Sequence, residues 1–443
     1  MPGSNTTIAH GLDYLGRPVV RRLVLGALLV AGAVGFVVWI RRPGDFAGYL
    51  LVGNLVLEGR HIYLDAPPRI NTWPPFFSLL CVPLALLAMP TPYLARGVWL
   101  LLNAGLLVVI LDLLARLVYR RPLRLAAADG AGLSPMAPEL LVPLLVTGRY
   151  VLANFEHLQI NLVLFALTLG GLYLVETRRA VTGGTLLGFG AAIKVMPIAF
   201  VAYLAYRRRW RAALAGAATT LALSASPILV FGWTRFQDYV VAWRAAVAAG
   251  WGAGRMNQSV FAMWDRFLGH RLPPLGVRGA DEVPASGDPL VVIAVMLSLV
   301  VVVGLALRAF GSRPADGWPR LCEWSVVFVV AALFGPVSWK AYLVVLLLPN
   351  TLLFAVWRSP AIESRLRRVA GGVLVAAFVL GGLTAHGLVG APLAERLEMT
   401  STVTLATLVL LGGLLWLRPR LPAGTPAPAT QQGRPVPALA SRT

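Results

Sequence analysis

Residues 181–206 read VTGGTLLGFGAAIKVMPIAFVAYLAY, an apolar stretch long enough to cross a bilayer but split by Lys194 and Pro197. A spanning helix needs about 20 apolar residues, rising ~1.5 Å each through ~30 Å of hydrocarbon. Proline removes a backbone donor and pushes the preceding residue out of helical geometry, and a lysine at membrane depth is expensive. The stretch therefore predicts two half-helices that dip in and return, with Lys194 at the tip. Irregular backbone at that depth is tolerated only inside protein or beside a water-filled cavity, so a hairpin here implies a cavity.

The rest of the chain supports a membrane setting. Of 443 residues, 58% are hydrophobic and only 13% charged, with a mean hydropathy of +0.74. So little charge cannot solvate the surface of a water-soluble domain of this length. The net charge of +20 and pI near 11.2 would suggest nucleic acid in a soluble protein. Here the arginines sit in short clusters between apolar runs, as topology signals and anionic-lipid anchors do, and no nucleic-acid partner is expected. Cys81 and Cys322 lie far apart, at apolar runs or their edges, and imply neither a disulfide framework nor a metal site. The first apolar run, 23–40, lacks a convincing cleavage site and reads as an uncleaved span.

Ten spans follow, near 23–40, 93–117, 137–153, 158–175, 210–232, 289–310, 321–337, 341–357, 369–388 and 402–417. Residues 76–89 are short, contain Pro83, and are expected to dip in without crossing. With 76–89 and 181–206 re-entrant, arginines and lysines favour one side by about two to one, placing both termini in the cytoplasm. Were both full crossings, the cluster RLVYRRPLR at 116–124 would move outside. The expectation is an all-α polytopic protein of the inner (plasma) membrane, with ~10–12 transmembrane helices plus re-entrant and juxtamembrane helices. Residues 1–22 form a cytoplasmic N-terminus, 23–417 the membrane domain, and 418–443 a disordered tail rich in Pro and Ala. Polar material gathers on the outer face, at 41–75, NFEH (154–157), 233–288, GPVSWK (335–340) and near 390–400. No internal repeat is present.

The outer loop RRPGDFAGYLLVGNLVLEGRHIYLDAPPRINTWPP (41–75) begins with Asp45 before a helix that Gly59 stops. Two readings of Asp45 stand: an N-cap accepting backbone N–H bonds, or a general base toward a hydroxyl nucleophile. Other candidates bunch at the same side. Glu156, His157, Gln159 and Asn161 could hydrogen-bond a sugar or merely satisfy a helix end, and Arg149 could pair with phosphate or with Glu156. Lys194 suits an anionic group such as a lipid phosphate, with snorkelling as the plainer account. Asn257 and Gln258, shortly before Arg266, read equally as ordinary loop residues or as substrate-side groups, whereas Ser338, Trp339, Lys340 and Tyr342 lie at an outer edge where aromatics belong anyway. No Gly-rich nucleotide loop, DxD pair or His/Cys metal spacing appears, so neither nucleotide nor metal cofactor is expected.

GDFAGYL with LEGRHIY, WPP with Pro83, LQINLVL, GAAIKVMP before RRRW, NQS with Arg266, and PVSW occur in this order across residues 44–350. The ordered set resembles glycosyltransferase family 87, membrane enzymes of the GT-C class. The sequence departs from that pattern at Leu158, where glycine is usual, at Trp73, where tyrosine is usual, and at Lys340–Tyr342, where histidine is frequent. The resemblance implies inverting transfer of a sugar, typically mannose, from a polyprenyl-phosphate donor to a lipid or glycan acceptor on the extracytoplasmic side. It implies Asp45 as the base and Lys194 and Arg266 as cations for the donor phosphate. Tyr49 falls within the GDFAGYL element as a substrate-side residue. Alternatives from other classes are a transporter or flippase for a lipid-linked sugar, and a structural subunit of an envelope assembly.

Overall fold

A computed structural model describes residues 18–67, 70–124, 132–249, 252–269, 283–312 and 315–424. These are overwhelmingly helical, with no β-strand among the described residues. The elements in order are α1 Pro18–Trp39, α2 Phe46–Leu57, α3 Pro75–Ala88, α4 Pro92–Tyr119, α5 Pro138–Glu156, α6 Asn161–Glu176, α7 Ala180–Ile193, α8 Ile198–Tyr206 and α9 Trp210–Ala225. A short α10, Pro227–Phe231, follows a proline break, then α11 Trp233–Ala249, α12 Val260–Leu268, α13 Pro289–Phe310 and α14 Trp318–Leu333. A 3₁₀ turn, Lys340–Leu346, runs into α15 Leu347–Arg358, and α16 Ser364–Ala376 continues as a π-helical segment, Ala377–Gly382. The chain closes with α17 His386–Val389, α18 Ala391–Met399 and α19 Thr402–Leu417. Among the described residues five stretches are long and apolar enough to cross a membrane unaided: Pro92–Tyr119, Trp210–Phe231, Pro289–Phe310, Lys340–Arg358 and Thr402–Arg420. This is an all-α, multi-pass membrane protein.

The hairpin forms. Lys194 ends α7 in extended geometry (φ −154°, ψ 128°), and Pro197 opens α8. Its direction follows from glycine contacts. A Cβ on Gly184 would lie 2.2 Å from the Ala212 carbonyl oxygen, and one on Gly188 2.4 Å from that of Gly216. The two pairs advance together along the chain, so α7 and α9 are parallel, and α8 has carried the chain back between them. Gly216 in turn faces Val201 of α8. Small residues at these crossings let backbones approach closely, as in membrane helix pairs generally.

The helices consequently share two ends. At one, Trp99 Nε1 donates to the Leu158 carbonyl (3.1 Å), Lys194 reaches Asn161, Asn154 reaches the Ala341 carbonyl (2.9 Å), and Arg149 reaches the Gly381 carbonyl (3.0 Å). At the other, Glu323, wholly buried, accepts from Tyr203 (2.7 Å), Arg207 (2.9 Å) and Arg418 (2.7 Å). This alternation agrees with the loop assignment expected from the charges. Helix α3, with 14 residues, is too short to cross at ~1.5 Å per residue.

Several boundaries move. The expected loops 41–75 and 233–288 contain helices α2, α11 and α12. Within the tail expected to be disordered from residue 418, residues 418–424 are fixed to the bundle, since Arg418 is locked to Glu323 and the Gly424 carbonyl accepts from Trp318 (3.4 Å). Residues 1–17 and 425–443 lie outside the described residues.

Replacing Gly184 with valine should lower the thermal unfolding midpoint in detergent by several degrees or prevent recovery of monodisperse protein, since overpacking against backbone costs about 1–3 kcal/mol or more. Gly372, whose Cβ would meet nothing within 4 Å, supplies the control: Gly372→Ala should leave size-exclusion behaviour and midpoint within a degree or so of wild type.

Candidate functional site

The site is built where the loop after α1 meets the turn between α5 and α6. Gly44 takes φ +51°, and a Cβ there would sit 2.6 Å from the His157 carbonyl oxygen, so only glycine fits. That same carbonyl accepts the Asp45 backbone N–H (2.9 Å). Asp45 precedes α2 in helical geometry, yet its side chain makes no capping bond. It turns the other way, where Gln159 Nε2 donates to Oδ2. Of the two readings of Asp45, the cap is the one the geometry removes.

Four of the expected residues form one chain. Lys194 Nζ donates to Asn161 Oδ1 (3.1 Å), Asn161 Nδ2 donates to Gln159 Oε1 (3.2 Å), and Gln159 Nε2 donates to Asp45. An ammonium can only donate and a carboxylate only accept, so these ends fix the orientation of both amides. The bonds all point from cation to anion, an arrangement in which each polarises the next. Asn154, fully buried, receives a further bond from Asn161 (3.3 Å) and donates to the Ala341 carbonyl. The Lys194 ammonium lies 3.4 Å from the centroid of the Tyr342 ring, a cation–π contact. Asp45 Oδ1 receives no hydrogen bond from the described residues and stays available to a ligand. Burial is the largest influence on the Asp45 carboxyl and raises its pKa above the ordinary 3.8, with the Gln159 bond, His157 and Lys194 opposing it.

Beyond the hairpin tip, Val195 and Ile198 line an apolar cavity of about 150 Å³, closed by Pro74, Phe76, Phe236 and Trp243. An apolar cavity thus adjoins the backbone just past the break, with Val195 and Ile198 on its wall.

The other expected residues go elsewhere. Glu156 pairs with exposed Arg42 (2.8 Å), not Arg149, and His157 contributes its carbonyl. Tyr49 is wholly buried among Trp73, Phe77 and Trp99, with ring centroids 4.8–5.8 Å away. Glu58 and Asp65 both sit against Arg60, at 3.4 and 3.5 Å, at the far end of α2 from Asp45. Asn257, Gln258 and Ser338 knot two loops together: Asn257 Oδ1 accepts the Ser338 N–H (2.9 Å) and the Gln258 N–H donates to the Ser338 carbonyl (2.7 Å). Arg266, only 1% exposed, spends its guanidinium on the carbonyls of Ala253, Gly254 and Asn257 and on Ser401 Oγ. It braces this loop from within; a ligand phosphate could not reach it without dismantling those bonds. Trp339 stacks on Tyr342, and Lys340 turns to Glu398 (2.6 Å).

Glu398 is the charged residue that the sequence reading passed over. Wholly buried, it accepts from Lys340 and Arg149, with Arg255 and His386 each 3.4 Å away. Burial alone would raise its pKa, but Lys340, Arg149 and His386 outweigh that and hold it below the ordinary 4.5. Its place in ERLEM, a short mixed stretch of a polar loop, gives no sequence signal of burial. Among the described residues no three His, Cys, Asp or Glu side chains are grouped so as to hold a metal ion.

Fold and site together define a polytopic helical membrane protein with an aspartate and a lysine joined through two buried amides at one end of its bundle. Comparison with known proteins gives the family. The model of glycosyltransferase family 87 matches residues 71–324. A polyprenol-phosphate-mannose-dependent alpha-(1-2)-phosphatidylinositol mannoside mannosyltransferase of Mycobacterium tuberculosis (strain ATCC 25618 / H37Rv) is 30% identical over 400 residues, covering 82% of each chain. A protein of the same description from Mycolicibacterium smegmatis (strain ATCC 700084 / mc(2)155) is 27% identical, covering 67% of this chain and 66% of its own. No solved structure matches. The chain belongs to glycosyltransferase family 87 and is a membrane glycosyltransferase. The matched stretch contains Gln159, Asn161 and Lys194, whereas Asp45 precedes it.

Changing Arg266 to glutamine should destabilise the protein by about 3 kcal/mol or more, because the carbonyls of Ala253 and Asn257 lose their donor and that of Gly254 keeps only the Asn257 N–H. Arg42→Ala breaks only the exposed pair with Glu156 and should cost under about 1 kcal/mol. Thermal unfolding of the two variants side by side checks both.

Proposed function

We propose that the protein transfers mannose from a polyprenyl-phosphate donor to a lipid or glycan acceptor with inversion, on the extracytoplasmic side of the plasma membrane, Asp45 serving as general base. The observation that carries this reading is the Asp45 carboxylate held by Gln159 with Oδ1 still open, at the end of a hydrogen-bond chain that starts on Lys194. Names of the relatives supply the donor class and the sugar. The loops richer in arginine at the Glu323 end, taken as cytoplasmic, supply the sidedness.

In the step, the acceptor oxygen forms a bond to the sugar's anomeric carbon from the face opposite the leaving group. The bond from that carbon to the phosphate oxygen breaks, and its electron pair leaves with the polyprenyl phosphate. The hydroxyl proton passes to Asp45, which later returns it to water. Lys194, with donors beyond the one spent on Asn161, stabilises the negative charge gathering on the departing phosphate. The apolar cavity next to Val195 suits the first isoprene units. No step in this reaction needs a metal or a nucleotide.

The test is transfer of radiolabelled mannose from polyprenyl-phosphate-mannose to membrane lipids and glycans by purified protein in liposomes. Wild type should label an acceptor, and Asp45→Asn, nearly isosteric and still able to meet Gln159, should lose roughly 10²–10⁴ of the rate. Label that stays in the donor with wild type, while the donor crosses the bilayer, would make the protein a flippase.

The pH profile is a separate check. A base works deprotonated, and burial raises the Asp45 pKa, so the rate should fall on acidification with a midpoint above the ordinary 3.8. Gln159→Leu removes the hydrogen bond that favours the carboxylate and should move that midpoint further up.

A further inference from the structure

The end of the bundle opposite Asp45 carries arginines that no acid of the protein answers. The turn from α6 to α7 holds Arg178 and Arg179, and the turn from α8 into α9 holds Arg208, Arg209 and Arg211. All are exposed, and none pairs with a carboxylate among the described residues. Glu176, two residues before Arg178, is paired with Arg320, and Glu323 is taken by Arg207 and Arg418.

The two turns are built alike. Arg179 N–H donates to the Leu174 carbonyl and Arg209 N–H to the Leu204 carbonyl, both at 2.8 Å, closing α6 and α8 in the same way. The preceding residue is left-handed in each, Arg178 at φ +65° and Arg208 at φ +56°. Glycine is the usual occupant of that position, having no Cβ, yet arginine stands there twice. The next helices start on Arg179 and Arg209, neither of which caps its helix, because a guanidinium has no acceptor.

Glycine packing brings the turns together. Gly184 on Ala212 and Gly188 on Gly216 set one register for α7 and α9, in which Ala180 stands level with Arg208. Helices packed in this manner run about 8 Å apart, so the two arginine turns lie side by side. Arg207, held by Glu323 and by the carbonyls of Phe310 and Gly311, fixes the second turn in place. Like charges gathered this closely repel unless an anion joins them.

The surface beside the patch decides what kind of anion. Arg211, Leu214, Ala218 and Leu221 follow at three- and four-residue steps and share one face of α9. Leu214 is 65% exposed and Leu221 71%, on a stretch long and apolar enough to cross the membrane. That face meets lipid hydrocarbon, and exposed Trp210 stands at its start, where interfacial indoles belong. A ligand seated on the arginines and running down this stripe carries phosphate at one end and hydrocarbon at the other.

We propose that the paired turns at 178–179 and 208–211 bind the phosphate head group of an anionic phospholipid, its acyl chains lying along Leu214 and Leu221. The site is at the far end from Asp45, so this lipid is neither sugar donor nor acceptor. By tying the starts of α7 and α9 together, it braces the hairpin whose tip carries Lys194.

The experiment titrates the full chain in neutral detergent with phosphatidylglycerol, with phosphatidylcholine and with water-soluble glycerophosphate. The thermal unfolding midpoint is followed, and native mass spectrometry reads the lipid retained. Wild type should gain several degrees with phosphatidylglycerol and retain that lipid alone. The double variant Arg178→Gly, Arg208→Gly removes two charges while suiting the left-handed turns, and its apparent Kd for phosphatidylglycerol should rise about tenfold or more. Arg179→Gln with Arg211→Gln, changed outside the left-handed positions, should do the same. Arg358→Gln with Arg368→Gln removes as much charge from exposed positions around the α15–α16 connection and should leave that Kd within about twofold. An equal loss in this control, unchanged binding in both patch variants, or equal shifts from phosphatidylcholine would reduce the response to net charge or bulk lipid and overturn the site. Glycerophosphate acting as well as the lipid would leave no role for the leucine stripe and overturn the phospholipid assignment. None of these readouts needs turnover, so they stand or fall apart from the transferase reading.

Discussion

The interruption of one helix at Lys194 governs the rest of this molecule. Backbone that leaves helical geometry within an apolar layer must be enclosed, and the enclosure here consists of α6 and α9 packed on α7 through glycines. Gly171 and Gly183 mark the first of these contacts, Gly184, Gly188 and Gly216 the second. With bulkier residues there the hairpin could not nest, and its tip would not stand beside the turn at 157–161. The lysine is therefore both the reason the helix breaks at a particular depth and the group that the break delivers.

What it delivers to is a set of amides with a fixed polarity. Had Gln159 and Asn161 been oriented independently, Asp45 could face either an amide nitrogen or an amide oxygen. The lysine at one end and the carboxylate at the other allow a single arrangement. Leu158 sits within this turn at φ +47°, fully buried, in a conformation that glycine adopts more cheaply, at a strain of about 1–3 kcal/mol. Its side chain joins the aromatic cluster of Phe46, Tyr49 and Trp99, and its carbonyl accepts the Trp99 indole. Packing recovers in the core what the backbone spends at the turn.

Much of this was legible in the sequence, for definable reasons. Hydropathy and proline placement expose the hairpin because crossing a bilayer imposes a length, and charge asymmetry separates the two ends because insertion acts on lysine and arginine. Asp45, Gln159, Asn161 and Lys194 were each visible as polar residues bordering apolar runs. Their junction was not, since it depends on contacts across 114 and 33 residues of chain. Asn154 and Tyr342 were hidden by ordinary roles, a helix-end amide and an interfacial aromatic. Arg266 shows the opposite case: its neighbourhood marked a ligand site, while five internal hydrogen-bonding contacts consume the guanidinium. Sequence reveals which groups are charged, but not whether their donors are already spent.

The two buried glutamates make the same distinction in space. Glu323, at one end of the bundle, holds Tyr203, Arg207 and Arg418, and the two guanidiniums direct further N–H groups to the carbonyls of Phe310 and Gly311. That centre ties α8, α13, α14 and α19 together with its donors committed to protein acceptors. Glu398, at the other end, is equally buried and equally surrounded by cations, yet its lysine keeps donors in reserve and its histidine reaches solvent. Burial and charge are alike in the two; the difference lies in donors left over. A closed set holds helices together, whereas an open one keeps donors in reserve, and the fold places the open set at the Asp45 end.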